Sequence, residues 1–188
     1  MAHPRTARTP GPEDAARLPE LVLPIDERDH CLHARDAKYS LVEYGDYECP
    51  NCLDGVEAVH ELLRDLGDDL CYVFRNFPQS DIHPNAVGAA EAAEAADMQA
   101  KFWLMHDRLF EHQTELSPAL YQRLARELPV DLVVFNRDLR SGAAARRVAE
   151  DVEGARRAGV AATPTFFANG RLVTGRYDFD ALRAALVG

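Results

Sequence analysis

Two cysteines mark the point where an extended apolar segment ends and a helical pattern begins, and most of what the sequence predicts depends on this junction. Residues 40–44 predict a short strand, and a Cys-x-x-Cys pair follows it at Cys49 and Cys52. After Cys49 the apolar residues recur at helical spacing, at Val56, Val59, Leu63 and Leu66. The sequence therefore places Cys49 at or beside the N-terminus of a helix.

A thiol in this position is predicted to be reactive. The unpaired N–H groups and the positive end of the helix dipole stabilise the thiolate, and a second thiol close by donates a hydrogen bond to it. The thiolate is the nucleophilic form of cysteine. The predicted chemistry is thiol–disulfide exchange.

The order of elements around the cysteines predicts a βαβ unit. A strand to Tyr44 is followed by the cysteine-headed helix to about Leu66, and then by a strand from about Leu70 to Phe77. These strands are expected to pair in parallel, because a helix connects them. Residues 1–20 hold several prolines and little to bury, which predicts a mobile tail ahead of a single domain over residues 21–188.

Residues 83–157 are predicted to form an inserted helical subdomain of about four helices. Ser117 before Pro118, and Asp131 before an apolar run, are residue types that cap helix N-termini. An apolar stripe in this block is expected to be core and consists of Phe102, Trp103, Met105, Leu109 and Phe110.

The C-terminal segment predicts a β-hairpin and a final helix. Asn169-Gly170 separates two short apolar runs, which is the strongest short-range signal for a hairpin. Phe179, Leu182 and Leu186 lie on one face of an amphipathic helix. The whole order of βαβ, helical block and ββα predicts an α/β fold.

Composition excludes several classes of function. A formal charge of −10 in 188 residues opposes binding to phosphate backbones and anionic lipid, so no nucleic-acid partner is expected. No N-terminal apolar run reaches the roughly 7–15 residues of a secretory signal, and none approaches the roughly 20 of a membrane span. We therefore expect a cytoplasmic protein without direct membrane insertion.

The four cysteines do not predict a structural disulfide in a cytoplasmic chain, because reducing systems keep such thiols reduced. Cys31 and Cys71 are isolated in the sequence and are expected to be small core hydrophobes. The pair at Cys49 and Cys52 is expected to be catalytic.

This order of elements, together with several motifs, resembles the DsbA-like family of the thioredoxin fold. The resemblance runs over residues 21–188 through Val42-Glu43-Tyr44-Gly45-Asp46, Cys49-Pro50-Asn51-Cys52, Phe74-Arg75-Asn76-Phe77-Pro78, His83-Pro84 and Thr163-Pro164-Thr165-Phe166-Phe167. It implies an α/β thioredoxin fold (βαβ–ββα) with a helical insertion. It also implies a thiol–disulfide oxidoreductase whose only redox group is its own disulfide, with no other cofactor.

The partners implied by the resemblance are protein or low-molecular-weight thiols and disulfides, and a redox partner that resets the cysteines. Cys49 is expected to be the exposed nucleophile and Cys52 the thiol that resolves the mixed disulfide. Pro164 is expected to be cis and to lie against the active site, where the backbone of Thr163 pairs with an incoming peptide. A trans turn proline is the alternative at this position.

Glu43 is an acid in a strand that should be buried on both faces. The resemblance implies that it exchanges protons with Cys52, as a general base should. The alternative is a solvated Glu at a sheet edge. His83 is a further candidate near the site, although a His in this position more often caps or ends a helix.

Pro50 and Asn51 stand between the two cysteines and complete the motif. Oxidising members of the family often place His where this chain has Asn51; an imidazolium there makes the disulfide more oxidising, whereas Asn offers only a hydrogen bond. Asp46 and Glu48 are expected to raise the pKa of the thiol. A milder oxidant than the periplasmic relatives is predicted.

Two other functions use the same cysteines. A zinc-binding module would combine them with the His30-Cys31-Leu32-His33 cluster, although the spacing is poor for a structural zinc site. A non-catalytic redox sensor would use the disulfide as a switch, and only turnover separates that function from an enzyme.

Overall fold

The computed structural model describes residues 20–21 and 23–188 of the chain. The predicted mobile tail over residues 1–20 therefore lies outside the described residues, apart from Glu20. This residue forms an isolated antiparallel bridge with Arg171. The bridge ties the start of the described chain to the sheet.

Five strands, numbered β1 to β5 in chain order, span His30–Leu32, Tyr39–Gly45, Leu70–Asn76, Thr165–Ala168 and Arg171–Leu172. They form one mixed sheet in the order β1-β3-β2-β4-β5. Helix α1 (Pro50–Leu66) connects β2 to β3, and these two strands pair in parallel. The predicted βαβ unit is confirmed.

Five α-helices lie between β3 and β4, one more than the approximate number predicted. They are α2 to α6 and span Ala86–Asp97, Phe102–Glu111, Pro118–Glu127, Leu132–Arg140 and Ala143–Arg157. The breaks at residues 98–101 and 141–142 are too short to interrupt a helical pattern in the sequence. Both predicted caps are confirmed, because the side chains of Ser117 and Asp131 accept backbone N–H groups of α4 and α5.

The apolar stripe of α3 is core, as predicted. Its members are buried except for Trp103, which is half-buried against the same cluster. Helix α2 packs against α3 and α6, and its buried face is almost entirely alanine, which lets the helices approach closely.

The predicted hairpin is confirmed at the end of the chain. Asn169 and Gly170 join β4 to β5 with φ values of 49° and 79°, the left-handed conformation of a tight hairpin turn. Helix α7 (Phe179–Val187) follows, and its apolar residues Leu182 and Leu186 are buried. Among the described residues, no helix combines the length and the apolar character needed to cross a membrane.

The sheet separates two apolar clusters. Helices α1 and α7, helices α2 to α5 and the start of α6 belong to the cluster on one face, which includes Phe74 and Phe166. On the opposite face, residues such as Val73 and Phe167 pack against the C-terminal end of α6. Because side chains alternate along β2, Glu43 lies on the first face, under the helix that carries the cysteines.

Strand β1 is not predicted from the sequence. It pairs antiparallel with β3 at the edge of the sheet. The structure joins Cys31 on β1 to Cys71 on β3 by a disulfide, with the Cα atoms 6.1 Å apart. The expectation that these cysteines are unpaired core residues is therefore wrong. Strand pairing brings them together across 40 positions of sequence, which no local pattern reveals.

Candidate active site

Cys49 occupies the N-cap position of α1, with φ −78° and ψ 119°. Pro50 begins the helix, where its fixed φ and missing N–H are tolerated. The Cys52 N–H donates to the Cys49 carbonyl oxygen at 3.0 Å, and the backbone N–H groups of Asn51 and Cys52 help to lower the pKa of Cys49. Pro50 and Asn51 are exposed, whereas Cys49 and Cys52 are buried free thiols.

The pKa of Cys49 is lowered from its ordinary value of 9.0 to about 5. The largest cause is the hydrogen bond from the Cys52 thiol; burial opposes it, and the Thr163 side chain and the backbone N–H groups of Cys52 and Asn51 add to it. At neutral pH the Cys49 sulfur is therefore a thiolate, the form that attacks disulfides.

The pKa of Cys49 is lowered although Asp46 and Glu48 lie nearby, and the raising effect expected of these two carboxylates stays a prediction. The Asp46 carboxylate accepts the Glu48 N–H at 2.8 Å and lies 2.7 Å from Nδ1 of His83. The Glu48 carboxylate accepts the backbone and side-chain N–H groups of Asn85 at 2.6 and 3.0 Å. Both acids are thus engaged by the segment that follows β3, and His83 lies at the site as a partner of Asp46.

Cys52 lies one turn into α1 and is fully buried. Burial raises the pKa of its thiol well above the ordinary value, and the hydrogen bond to Cys49 and the charge of Glu43 raise it further. The backbone N–H of Asp46, 3.4 Å from Sγ, opposes this rise. Cys52 is therefore a thiol at neutral pH and needs a base before it can attack.

Glu43 lies in the middle of the sheet, between β3 and β4, with no exposed surface. The alternative of a solvated Glu at a sheet edge is wrong. Its Oε2 accepts the Tyr72 hydroxyl at 2.7 Å. Burial raises the pKa of Glu43 to about 8, against the hydrogen bond from Tyr72, which lowers it. The carboxyl therefore takes up and releases a proton near neutral pH.

The Thr163–Pro164 peptide bond is cis, and this segment lies against Cys49. The Cys49 Sγ is 3.3 Å from the carbonyl oxygen of Thr163, although 114 positions separate the two residues. The Thr163 hydroxyl is buried without a partner among the described residues, which leaves it free to donate to the thiolate. Because Thr163 covers the sulfur, Cys49 is only 6% exposed, and the expectation of an exposed nucleophile is wrong.

The helical insertion supplies contacts that the sequence reasoning missed. The Gln113 Nε2 donates to the carbonyl oxygens of Tyr47 and Cys49, at 2.9 Å each. The Tyr47 hydroxyl lies 3.1 Å from Nδ1 of His106, whose pKa burial lowers to about 3. These residues hold the active-site loop, and no local pattern marks them.

The fold does not bring the candidate zinc ligands together. Cys31 is bonded to Cys71, and His30 lies between the carboxylates of Glu94 and Asp97 at 2.9 and 3.3 Å. These two carboxylates and His30 are the one group within the described part of the chain with metal-ligand spacing, and it contains neither active-site cysteine.

Comparison with known proteins gives a family. Residues 26–187 match the family model described as thioredoxin. A Na⁺/H⁺ antiporter NhaA 1 of Salinispora arenicola is 48% identical over a match that covers 89% of this chain and 26% of the antiporter. A Na⁺/H⁺ antiporter NhaA 1 of Mycolicibacterium gilvum is 43% identical over a match that covers 89% of this chain and 28% of the antiporter. The chain thus spans about a quarter of the length of the curated relatives it matches.

Solved structures share the fold. A thioredoxin-like oxidoreductase from Silicibacter pomeroyi has a TM-score of 0.76 and 26% identity, covering 86% of this chain and 92% of its own. Oxidised BdbD from Bacillus subtilis has a TM-score of 0.77 and 23% identity, covering 92% and 98%. A thiol-disulfide exchange protein from Wolbachia pipientis, alpha-DsbA2, has a TM-score of 0.76 and 21% identity, covering 86% and 87%. The chain belongs to the thioredoxin family, with the fold of its DsbA-like thiol–disulfide oxidoreductases.

Proposed function

We propose that the chain is a thiol–disulfide oxidoreductase that acts by dithiol–disulfide exchange at Cys49-Pro50-Asn51-Cys52. The observation that carries this proposal is the contrast between the two thiols. Cys49 has a pKa lowered to about 5, whereas burial raises that of Cys52. The Cys49 sulfur is therefore a thiolate that can attack a substrate, whereas Cys52 keeps its proton until the resolving step.

In the first step the Cys49 thiolate attacks a protein or low-molecular-weight disulfide. A bond forms between Cys49 and one substrate sulfur, and the substrate S–S bond breaks. The other substrate sulfur leaves with the electron pair and takes a proton from solvent. The product is a mixed disulfide.

In the second step Cys52 resolves the mixed disulfide. Its proton passes to Glu43, and the resulting thiolate attacks the Cys49 sulfur. The bond between Cys49 and the substrate breaks, and the substrate leaves reduced while the Cys49–Cys52 disulfide forms. The reverse sequence oxidises a dithiol substrate, so a redox partner is needed to reset the cysteines.

Thr163 and Pro164 form the proposed substrate-binding edge beside Cys49. A peptide backbone that aligns with Thr163 by main-chain hydrogen bonds presents its sulfur to the Cys49 thiolate. Pro50 and Asn51 are exposed between the two cysteines.

The protonation state of Cys49 affects the redox direction of the proposed reaction. A stabilised thiolate favours the reduced protein and makes its disulfide more oxidising. The low pKa of Cys49 therefore supports a stronger oxidant than Asn51 alone suggests. The cytoplasmic location remains a prediction, and the Cys31–Cys71 disulfide counts against it, because such bonds persist mainly in oxidising compartments.

The antiporter names describe those relatives, of which this chain covers about a quarter, and ion transport is not proposed for this chain. Nor do we propose a nucleic-acid partner, direct membrane insertion or a cofactor beyond the Cys49–Cys52 disulfide. A redox sensor remains the alternative, and turnover separates the two.

Turnover and trapping test the proposal. With a small dithiol as the reductant, wild-type protein is expected to reduce a model disulfide catalytically and Cys49→Ser to lose turnover. Cys52→Ala, mixed with the disulfide in the absence of the dithiol, is expected to accumulate a mixed disulfide at Cys49, seen by mass spectrometry. In glutathione buffers, a midpoint near about −120 mV indicates an oxidant and one near about −270 mV a reductant. Undiminished turnover in Cys49→Ser contradicts the proposal, and a disulfide without turnover favours the sensor.

A further inference from the structure

The two oxygens of the Glu43 carboxyl group have different surroundings. Tyr72, on β3, is 2% exposed, and its hydroxyl donates to Oε2 of Glu43 at 2.7 Å. The other oxygen, Oε1, is buried and has no hydrogen-bond partner among the described residues. Oε1 is therefore the oxygen for which no donor competes with an arriving proton.

The free oxygen faces the helix that carries Cys52. A Cβ atom added at Gly45 would lie 3.0 Å from Oε1, and one added at Gly55 would lie 3.8 Å from it. Gly55 is buried and stands about one turn after Cys52 in α1. The Oε1 atom therefore lies between β2 and the turn of α1 that follows Cys52.

Tyr72 stays a hydrogen-bond donor at every working pH. Burial raises its pKa well above the ordinary value of 10.0, and the charge of Glu43 raises it further. A phenol that keeps its proton leaves Oε2 as an acceptor. A proton that arrives at the Glu43 carboxyl therefore binds Oε1.

Within the described part of the chain, no cationic side chain pairs with the Glu43 carboxylate. Burial raises the pKa of Glu43, the hydrogen bond from Tyr72 lowers it, and the charge of Cys49 raises it. The titratable groups that interact with the carboxyl are thiols and phenols, namely Cys49, Cys52, Tyr47, Tyr72 and Tyr177. The phenol of Tyr72 is thus the group that stabilises the carboxylate.

The inserted helices hold the Tyr72 ring in place. The ring packs against Trp103 of α3, with the centroids 5.4 Å apart. Its backbone is fixed in β3 between β1 and β2. The hydroxyl is therefore directed at Glu43 from both the sheet and the insertion.

We propose that Tyr72 is a positioning residue of the exchange reaction, which holds Oε2 of Glu43 and reserves Oε1 for the Cys52 proton. This inference rests on the proposed function. In the resolving step the S–H bond of Cys52 breaks, the proton bonds to Oε1, and the electron pair stays on the sulfur that attacks Cys49. In the reverse direction Oε1 returns the proton.

The test is Tyr72→Phe, which keeps the ring and removes the hydroxyl. A mixed disulfide is formed between Cys49 and a chromogenic aromatic thiol, and release of that thiol by Cys52 is followed across pH. Without its donor the carboxylate is less stable, so the pKa of Glu43 rises and the midpoint of the profile moves above that of the wild type. Release at pH 7 slows roughly three- to tenfold. Alkylation of free Cys49 keeps its wild-type rate.

Tyr121→Phe is the matched control, because its hydroxyl donates to the Asn85 carbonyl at 2.8 Å, away from Glu43. A wild-type profile is expected from it. In a Glu43→Gln background, Tyr72→Phe should change release little, because the proton acceptor is already absent.

A Tyr72→Phe profile that superimposes on the wild type overturns the inference. An equal slowing in the Glu43→Gln background also overturns it, since the effect is then structural. If wild-type protein forms no mixed disulfide at Cys49, the proposed function fails and this inference fails with it. If the mixed disulfide at Cys49 forms and is resolved normally but the Tyr72→Phe profile is not shifted, only this inference fails and the proposed function stands.

Discussion

Cys49 and Cys52 share one turn of α1 and have opposite protonation states. Cys49 is at the N-cap, where the hydrogen bond from the Cys52 thiol and the nearby backbone N–H groups lower its pKa. Cys52 is directed into the core, where burial keeps its proton in place. In the proposed reaction, a single helix start therefore supplies both the attacking thiolate and the resolving thiol.

The alkylation rate of reduced wild-type protein should titrate with a midpoint near pH 5. A lowered pKa means that the thiolate is present above this pH and lost below it, so the rate falls on acidification and stays flat through neutral pH. Iodoacetamide labelling, with the modified residue located by mass spectrometry, measures this.

Cys52→Ala is the matched variant for this measurement. It removes the hydrogen bond that lowers the Cys49 pKa most, so the midpoint should move upward toward 9.0. A wild-type midpoint already near that value would contradict the assigned role of the helix start.

The sequence identifies the residues of the site that are close together along the chain. Cys49 and Cys52 follow from one motif and its place at a helix start, and Glu43 from an acid in an apolar strand. Gln113 and His106 do not follow, because their contacts with the active-site loop depend on how the inserted helices pack. Long-range packing leaves no mark in local spacing.

At the scale of elements, β1 is the one strand of the described sheet that the sequence does not predict. It has three residues, begins with a polar His30, and lacks alternation long enough to be recognised. The hairpin and the helix caps were predictable, because Asn169-Gly170 and the capping side chains act locally. The pairing of β1 with β3 instead depends on the finished sheet.

Removing the Cys31–Cys71 disulfide should lower the free energy of unfolding by about 4 kcal/mol. The bond closes a loop between positions 40 apart, and opening it restores conformational freedom to the unfolded chain. The comparison uses a Cys49→Ser/Cys52→Ser protein with and without Cys31→Ser/Cys71→Ser, unfolded in denaturant without reductant.

The control is a count of free thiols in the Cys49→Ser/Cys52→Ser protein that keeps Cys31 and Cys71. This protein should contain no free thiol. Equal free energies of unfolding for the two proteins would show that the disulfide does not constrain the unfolded chain.

At the scale of the whole molecule, the net charge is −10. A field of this sign draws cationic molecules to the protein and slows anionic ones. A peptide disulfide flanked by lysines should therefore react with Cys49 about tenfold faster at low salt than one flanked by glutamates.

Stopped-flow rates at increasing salt measure this effect, with an uncharged peptide as the control. Added salt should make the reaction rates of the two charged peptides converge, because salt screens charges that are more than about 10 Å apart at 0.1 M. A ratio of rates that does not change with salt would assign the preference to local contacts instead of the overall field.

The contact between Cys49 and Thr163 also has a consequence during synthesis of the chain. Translation proceeds from the N-terminus, so Cys49 leaves the ribosome well before Thr163, which lies 114 positions later. Gln113, which holds the Cys49 carbonyl, also arrives late, 64 positions after it. The nascent cysteine therefore lacks part of what makes it reactive. The share of the lowered Cys49 pKa that Thr163 supplies arises only once the segment before β4 has folded back.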